Sequence, residues 1–150
     1  MTALFFLLIG ALYDQSHDRE FPSYSGMARQ MPIWAVFFVI AGLASFGLPF
    51  LSGFIAEFHI FVGAFQAYPL VGALAVLTAA ITATYLLRMF AQAFFGDPSP
   101  RWSDVGEMTW TERAAAVVLA VPIFVLGMWP SPWIDRISAG LELGIPGVLL

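Results

Sequence analysis

The sequence has no cysteine and no lysine, and charged side chains make up 11% of its 150 residues. Without cysteine, the chain cannot form a disulfide, ligate an iron–sulfur cluster through thiolates or supply a thiol nucleophile. The six basic residues are all arginine and are scattered singly, so they form no patch that could neutralise a run of phosphates. These absences argue against nucleic-acid binding and place any redox centre on another chain.

Apolar side chains fill most of the sequence instead, since 60% of the residues are hydrophobic and 16% are aromatic. This balance lies outside the usual range of soluble globular domains and predicts an integral, multi-pass membrane protein. The first apolar run, residues 3–13, has neither a basic leader nor a small-residue cleavage site. As a helix, residues 1–13 reach about 20 Å, short of a hydrocarbon core of about 30 Å. We therefore expect residues 1–13 to be part of a longer helix, in a C-terminal fragment of a larger protein.

Polar loops and helix breakers divide the remaining sequence. Residues 14–32 collect five charged side chains, one glycine and two prolines, which predicts a surface loop. Thr109 and Glu112 have the spacing of a capping box at the start of a helix. The sequence predicts an all-α transmembrane fold, a single membrane domain with one helix discontinuous. It has about four membrane-spanning helices plus the truncated N-terminal one, at residues 33–47, 50–67, 70–93 and 110–128, and a tail at 130–150 typical of an interfacial helix.

The stretch GLPFLSGFIAEF, residues 47–58, sets one carboxylate among apolar residues. An ionised carboxylate is costly in hydrocarbon, so Glu57 is expected to face the protein interior or water, where it could gain and lose a proton. Gly47 and Pro49 interrupt the helix, and Gly53 lies on the same face as Glu57, where a backbone or water can approach. The alternative is a tight turn between two helices, with Glu57 as a hydrogen-bonded structural acid.

Four further side chains are candidate members of a proton relay. His59 is two residues from Glu57 and projects from nearly the opposite face of the helix. Thr78, Thr82 and Tyr85 follow at i, i+4 and i+7 on one face of a later helix. The alternative for all four is a structural hydrogen bond to their own backbone or to a packed helix.

No other chemistry is indicated by the sequence. The serines lack a catalytic motif, so no catalytic residue is predicted. His17 and His59 have no companions at metal-ligand spacing, and the glycines at 47 and 53 do not form a phosphate loop. We therefore predict no metal site and no cofactor site in this chain.

Five segments carry a family resemblance: ALFFLLIGALYD, YSGMARQMP, GLPFLSGFIAEFHIFVGAF, TYLLRMFAQAFFG and LGMWPSP. In this order they resemble the C-terminal part of the antiporter-like subunit M (chain 4 type) of proton-pumping NADH:quinone oxidoreductase, respiratory complex I. The resemblance covers essentially all 150 residues. Its most specific part is the series from Gly47 to Glu57. Related subunits tend to carry lysine at the position of Glu57, so the glutamate favours subunit M.

The resemblance implies a membrane-arm subunit of fourteen helices, in a bacterial inner membrane, whose proton channel includes Glu57. It also implies that NADH, FMN, the iron–sulfur clusters and quinone bind to other subunits of the complex. Two departures matter. The family's other key charges lie upstream of these residues, and Phe50 stands where relatives often have glycine. The open alternatives are a subunit of a multisubunit cation/proton antiporter and a purely structural membrane subunit.

Overall fold

The fold is all-helical over the part of the chain that is described. A computed structural model describes residues 1–18, 24–100 and 104–144, with side chains described as far as residue 140. Seven α-helices and no strand occur in these ranges, which confirms the predicted fold class at that level. The helices are α1 (Thr2–Ser16), α2 (Met27–Gln30), α3 (Pro32–Ser45), α4 (Ser52–Ala67), α5 (Pro69–Phe94), α6 (Trp110–Met128) and α7 (Ser131–Gly144).

The observed helix bounds differ from the expected ones for local reasons. Helix α1 runs on to Ser16, whose hydroxyl donates to the Leu12 carbonyl at 2.8 Å, and His17 then ends it in a left-handed conformation. The short helix α2 lies inside the predicted loop 14–32, of which residues 19–23 fall outside the described ranges. Helix α7 occupies the predicted tail, and residues 145–150 are also outside them.

Two of the described helices, α5 with 26 residues and α6 with 19, are long and apolar enough to cross a membrane. Helices α3 and α4 have 14 and 16 residues, about 21 and 24 Å at 1.5 Å per residue, and neither alone matches a core of about 30 Å. The sequence-based prediction counts these two among its four spans and also includes one discontinuous helix.

Helix α5 shows how α3 and α4 relate to each other. Near its start, Gly72 lies against the Phe65 ring of α4, and the single residue Tyr68 links the two helices. Near its end, the Phe90 ring covers Gly42 of α3 and the Phe94 ring is 6.1 Å from the Trp34 ring. The uninterrupted helix α5 therefore packs against α4 with its first part and against α3 with its last part. Accordingly, α3 and α4 lie in succession along α5, as two halves of one discontinuous path.

The packed core lies where α1, α3 and the end of α5 meet. Trp34 is fully buried and donates its indole N–H to the Leu8 carbonyl at 2.8 Å, which satisfies its one polar group. Its ring stacks on Phe38 at a centroid distance of 4.6 Å, and Phe94 meets both rings edge to face. This aromatic cluster fixes the side-by-side arrangement of the three helices.

A carboxylate from the α5–α6 loop caps helix α3. The side chain of Glu107 accepts hydrogen bonds from the Ile33 and Trp34 backbone amides at 2.8 and 3.2 Å. Helix α3 begins with Pro32 and has no side-chain cap of its own, so these amides would otherwise lack acceptors. The negative charge of Glu107 also interacts favourably with the positive N-terminal end of the α3 helix dipole. Glu107 thus ties the loop to the start of α3.

Three further contacts join segments at the same end of the bundle. Gln15 accepts from the Gly106 amide at 2.8 Å, Ser25 donates to the Asp97 carbonyl at 2.9 Å, and the Arg113 Nε donates to the Met108 carbonyl at 2.8 Å. The predicted capping box of Thr109 and Glu112 is confirmed at the start of α6. We call this region, where α1 and α5 end and α3 and α6 begin, the linked end.

Replacing Glu107 tests the cap. We expect Glu107→Ala to lower the free energy of unfolding of the full-length protein by about 1–2 kcal/mol, as for the loss of a charged helix cap. The free energy of unfolding of Glu107→Gln should lie between those of wild type and Glu107→Ala, because the single amide oxygen of glutamine can still accept a hydrogen bond. Thermal unfolding in detergent gives the measurement, with Asp97→Asn as the matched control, since the exposed Asp97 side chain caps nothing in the described residues. Equal stability of wild type and Glu107→Ala would disprove the cap.

Candidate functional site

The loop between α3 and α4, residues 46–51, is the centre of the candidate site, and we call it the break loop. Helix α3 ends in a Schellman-type cap, in which the Leu48 amide donates to the Leu43 carbonyl at 3.0 Å. Gly47 occupies the left-handed position of this cap with φ 68°. Pro49 follows and has no amide hydrogen, and the Leu51 amide donates to the Leu48 carbonyl at 3.2 Å before α4 begins.

Glu57 lies one turn into α4 and folds back over the break loop. A Cβ built on Gly47 would overlap the Glu57 Oε2 and lie 3.1 Å from its Cδ, so the carboxylate occupies the space that the missing side chain leaves. Glu57 is half-buried. Within the described residues its carboxylate has no hydrogen bond and no ion pair, and α3 and α4 carry no other acidic or basic residue except His59.

Gly53 brings the two helices together on the same face. A Cβ at Gly53 would overlap the carbonyl oxygen of Ala44, near the end of α3. Gly53 and Glu57 are four residues apart and therefore lie on one face of α4. This face is turned toward the end of α3, so the carboxylate lies over the break loop rather than on the outside of the helix pair.

A third glycine, which the sequence reasoning missed, supports the break loop from α6. A Cβ at Gly127 would overlap the Phe50 carbonyl oxygen and the Leu51 backbone. The available signal was a glycine inside an apolar helical run, which often marks a close backbone approach. Glu107 was also missed, and no sequence signal indicates that a loop acid caps a helix 74 residues earlier.

The four candidate relay residues do not meet around Glu57. His59 lines a groove on another side of α4, and its Nδ1 is 2.7 Å from the carbonyl oxygen of Ile55. The hydroxyls of Thr78 and Thr82 donate to carbonyls one turn earlier, at 2.9 and 3.1 Å. Tyr85 is 56% exposed on α5. Each hydroxyl on α5 keeps an acceptor lone pair, but the structure does not bring these groups to the carboxylate.

The described residues hold no cluster suited to a metal ion. Across residues 1–18, 24–100 and 104–140, no three His, Asp or Glu side chains come together at ligand distance. The chemistry available at the break loop is therefore that of one carboxylate beside the backbone of a helix interruption. It can bind and release a proton or accept hydrogen bonds from water.

Phe50 gives the break loop an unusual backbone. Its φ is 75°, in the left-handed region that a bulky side chain seldom adopts, and its side chain is 73% exposed. This is the position where the resemblance led us to expect glycine. The left-handed backbone is accommodated here because the Phe50 carbonyl packs on Gly127 and the exposed ring has room.

A family model and curated relatives that match this chain point to the same family. The family model described as "NADH:quinone oxidoreductase/Mrp antiporter, TM" matches residues 1–82. NADH-quinone oxidoreductase subunit M of Rhodobacter capsulatus is 32% identical over 139 residues, covering 92% of this chain and 27% of that protein. The same subunit of Rickettsia bellii is 37% identical over 143 residues, covering 95% of this chain and 29% of that protein. The chain therefore spans about a quarter of the length of these curated relatives.

Solved structures agree with these relatives. A chain of respiratory complex I from Thermus thermophilus with bound NADH matches with a TM-score of 0.77 and 34% identity, over 83% of this chain and 26% of that one. A chain of the Mrp complex from Dietzia sp. DQ12-45-1b matches with a TM-score of 0.82 over 97% of this chain and 35% of that one. At 22% identity, the second likeness shows the fold alone.

The backbone of Phe50 allows a direct test. We expect Phe50→Gly to raise the free energy of unfolding of the full-length protein by about 1 kcal/mol, because glycine removes strain at positive φ and the lost ring is exposed. The gain is limited by the greater freedom of glycine in the unfolded chain. Thermal unfolding in detergent measures it, and Phe54→Gly, inside α4, is the contrasting control that should destabilise. A loss of stability in Phe50→Gly would contradict the assigned backbone.

The close approach at Gly127 gives a second test. We expect Gly127→Ala to lower the free energy of unfolding of the full-length protein by about 1–3 kcal/mol, because the added methyl group meets backbone that cannot move aside alone. Gly63→Ala is the matched control, since nothing lies within 4 Å of a Cβ at Gly63. That control should be neutral or gain up to about 1 kcal/mol of helix propensity. Equal effects of the two substitutions would argue against close packing on the break loop.

Proposed function

The chain belongs to the NADH:quinone oxidoreductase/Mrp antiporter family of membrane subunits, and on this premise we propose that it is the C-terminal part of a proton-translocating subunit M of NADH:quinone oxidoreductase. Glu57 is its proton-channel carboxylate. The observation that carries the proposal is the position of this carboxylate over Gly47 in the break loop, without a partner in the described residues.

The physics of the site supports a proton carrier over a structural acid. A structural carboxylate in a low-dielectric region is expected to accept hydrogen bonds or pair with a cation. Glu57 has neither in the described residues, yet it lies beside a helix interruption whose backbone groups can order water. A group held in this way can change its protonation state without breaking a network that supports the fold.

The proposal also covers the full-length subunit, of which the present residues are one part. We propose a fourteen-helix subunit, in which α1, the discontinuous path of α3 and α4, and helices α5 and α6 provide the last crossings. Its partners are the other membrane-arm subunits in a bacterial inner membrane. NADH, FMN, the iron–sulfur clusters and quinone bind elsewhere in the complex. In this scheme Glu57 exchanges its proton with an upstream lysine and with one face of the membrane as the complex changes state.

Substitution of Glu57 in the full-length subunit tests the role. In everted membrane vesicles, we expect Glu57→Gln to reduce proton uptake per NADH oxidised by about tenfold or more, since a positioned proton-transfer group commonly contributes two to four orders of magnitude to its step. A pH-sensitive dye reports uptake, and NADH oxidation by an artificial acceptor checks that the redox part is intact. Glu57→Asp should restore part of the activity because it keeps a carboxyl group.

Glu112→Gln is the matched control. It removes one negative charge on α6, but glutamine also suits the capping box, so assembly and pumping should be unchanged. Wild-type proton uptake in the Glu57→Gln variant would overturn the channel role and leave a structural acid. Equal loss of pumping in Glu57→Gln and Glu112→Gln would show that the assay responds to assembly alone.

A cation/proton antiporter subunit is the second candidate function. The matched family also includes Mrp antiporter subunits, and the fold of a chain from the Mrp complex covers 97% of this chain. Such a subunit would exchange ions without redox chemistry. Purification of the full-length protein with its neighbours distinguishes the two, because only the first function requires flavin- and iron–sulfur-containing subunits in the same complex.

A further inference from the structure

A groove at the opposite end from the linked end lies between α4, the end of α6 and α7, and Met1, just before α1, also lines it. Its volume is about 660 Å³. The first two turns of α4 form one wall, from Ser52 to His59, and α7 forms the other with Trp133, Ile134 and Ile137. Apart from His59 and the two serines at 52 and 138, the lining side chains are apolar or glycine. The volume and the largely apolar lining of the groove suit a hydrocarbon chain.

Helix α7 has the pattern of a helix that lies in a membrane surface. Trp133, Ile134 and Ile137 line the groove, where Trp133 and Ile137 remain 51% and 63% exposed, whereas Asp135 and Arg136 are exposed and do not line it. An amphipathic helix with aromatic and aliphatic residues on one side and charges on the other lies at the boundary between lipid tails and headgroups. It directly follows α6, one of the two helices long enough to cross a membrane, so it sits where that helix leaves the hydrocarbon.

Arg136 supplies a positive charge beside the groove. It lines a second hollow of about 250 Å³ together with Val125, Trp129, Pro132 and Trp133. Trp133 borders both spaces, so a molecule in the groove can reach the arginine around one ring. The Arg136 guanidinium has no hydrogen bond or ion pair within the described residues. Asp135 is the neighbour of Arg136 in sequence but points about 100° away around the helix. The α4 and α6 residues that line the two spaces include no Asp, Glu, Lys or Arg, and His59 is their one ionisable side chain.

We propose that this groove binds an anionic phospholipid, with one acyl chain between α4 and α7 and the phosphate on Arg136. A planar guanidinium binds phosphate oxygens through two parallel N–H donors. Tryptophan favours the level of the headgroups, so Trp129 and Trp133 frame the place where the phosphate is expected. The site uses neither Glu57 nor the proton path and stands independently of the proposed function. It requires only that α6 crosses the membrane.

Lipid-dependent quenching of a single label tests the site. In the full-length protein, with any other cysteine replaced, a bimane label at position 137 reports on the groove, and one at position 118, on the 69% exposed Val118 of α6, reports on the lipid surface. The protein is reconstituted with brominated phosphatidylglycerol or brominated phosphatidylcholine. At position 137 we expect the anionic lipid to quench at about a fivefold lower mole fraction, equal to about 1 kcal/mol for one arginine at an anionic surface. At position 118 the two lipids should quench alike.

Two substitutions complete the experiment. Arg136→Gln should abolish the preference at position 137, and Arg136→Lys should keep part of it, which separates charge from folding. Arg88→Gln, at an exposed arginine on α5, should leave the preference unchanged.

Three outcomes would overturn the site. Equal quenching by both lipids would mean plain contact with hydrocarbon, and no quenching by either would mean that upstream helices or another subunit fill the groove. A preference that survives Arg136→Gln would place the phosphate elsewhere.

Discussion

Close backbone packing at the break loop is the constraint on which the other features of the structure depend. A loop that leaves helical geometry within an apolar bundle exposes amides and carbonyls that lipid cannot satisfy. Here the loop is pressed between the end of α3, the start of α4 and the end of α6, at Gly53 and Gly127, where any side chain would overlap backbone. The Leu48 and Leu51 amides find acceptors within the segment. The remaining polar groups share their small space with one carboxylate, Glu57.

The two ends of the bundle are built differently. At the linked end, polar side chains from both loops reach backbone groups across the fold, and the aromatic cluster around Trp34 lies directly beneath them. Beyond the break loop, α4 and the first half of α5 bury few side chains against the described residues; most of their large apolar side chains are exposed. In water such a surface would be unstable, whereas lipid or neighbouring helices cover it without cost. The contacts at the linked end thus fix the position of α3. The site lies at the junction between α3 and α4, and α4 is the helix that depends on lipid or neighbouring helices for packing.

Sequence reasoning reached the features that local chemistry determines. The break at Gly47 and Pro49 follows from backbone preferences, and the capping box of Thr109 and Glu112 follows from spacing. It did not reach features that depend on distant packing. The sequence predicts one discontinuous helix but counts the segments before and after Pro49 as two spans, and their order along α5 joins these two segments into one interrupted path. The cap by Glu107 likewise needs the fold, since an acid in a loop looks the same whether it meets water or a helix end.

Phe50 shows how tertiary packing overrides local preference at the site. A bulky residue at positive φ costs about 1–2 kcal/mol, and the cost persists only where neighbours determine the conformation. The neighbours here are the close contact of the Phe50 carbonyl with Gly127 and the cap at Gly47, both of which fix the chain on either side of the ring. Strain of this kind raises the energy of the present break loop relative to conformers in which Phe50 has a negative φ. Because an equilibrium responds to such differences, the conformer that holds Glu57 over Gly47 is less favoured than it would be with glycine at position 50. Phe50 therefore shifts the conformational equilibrium of the loop and leaves the chemistry of the Glu57 carboxylate unchanged.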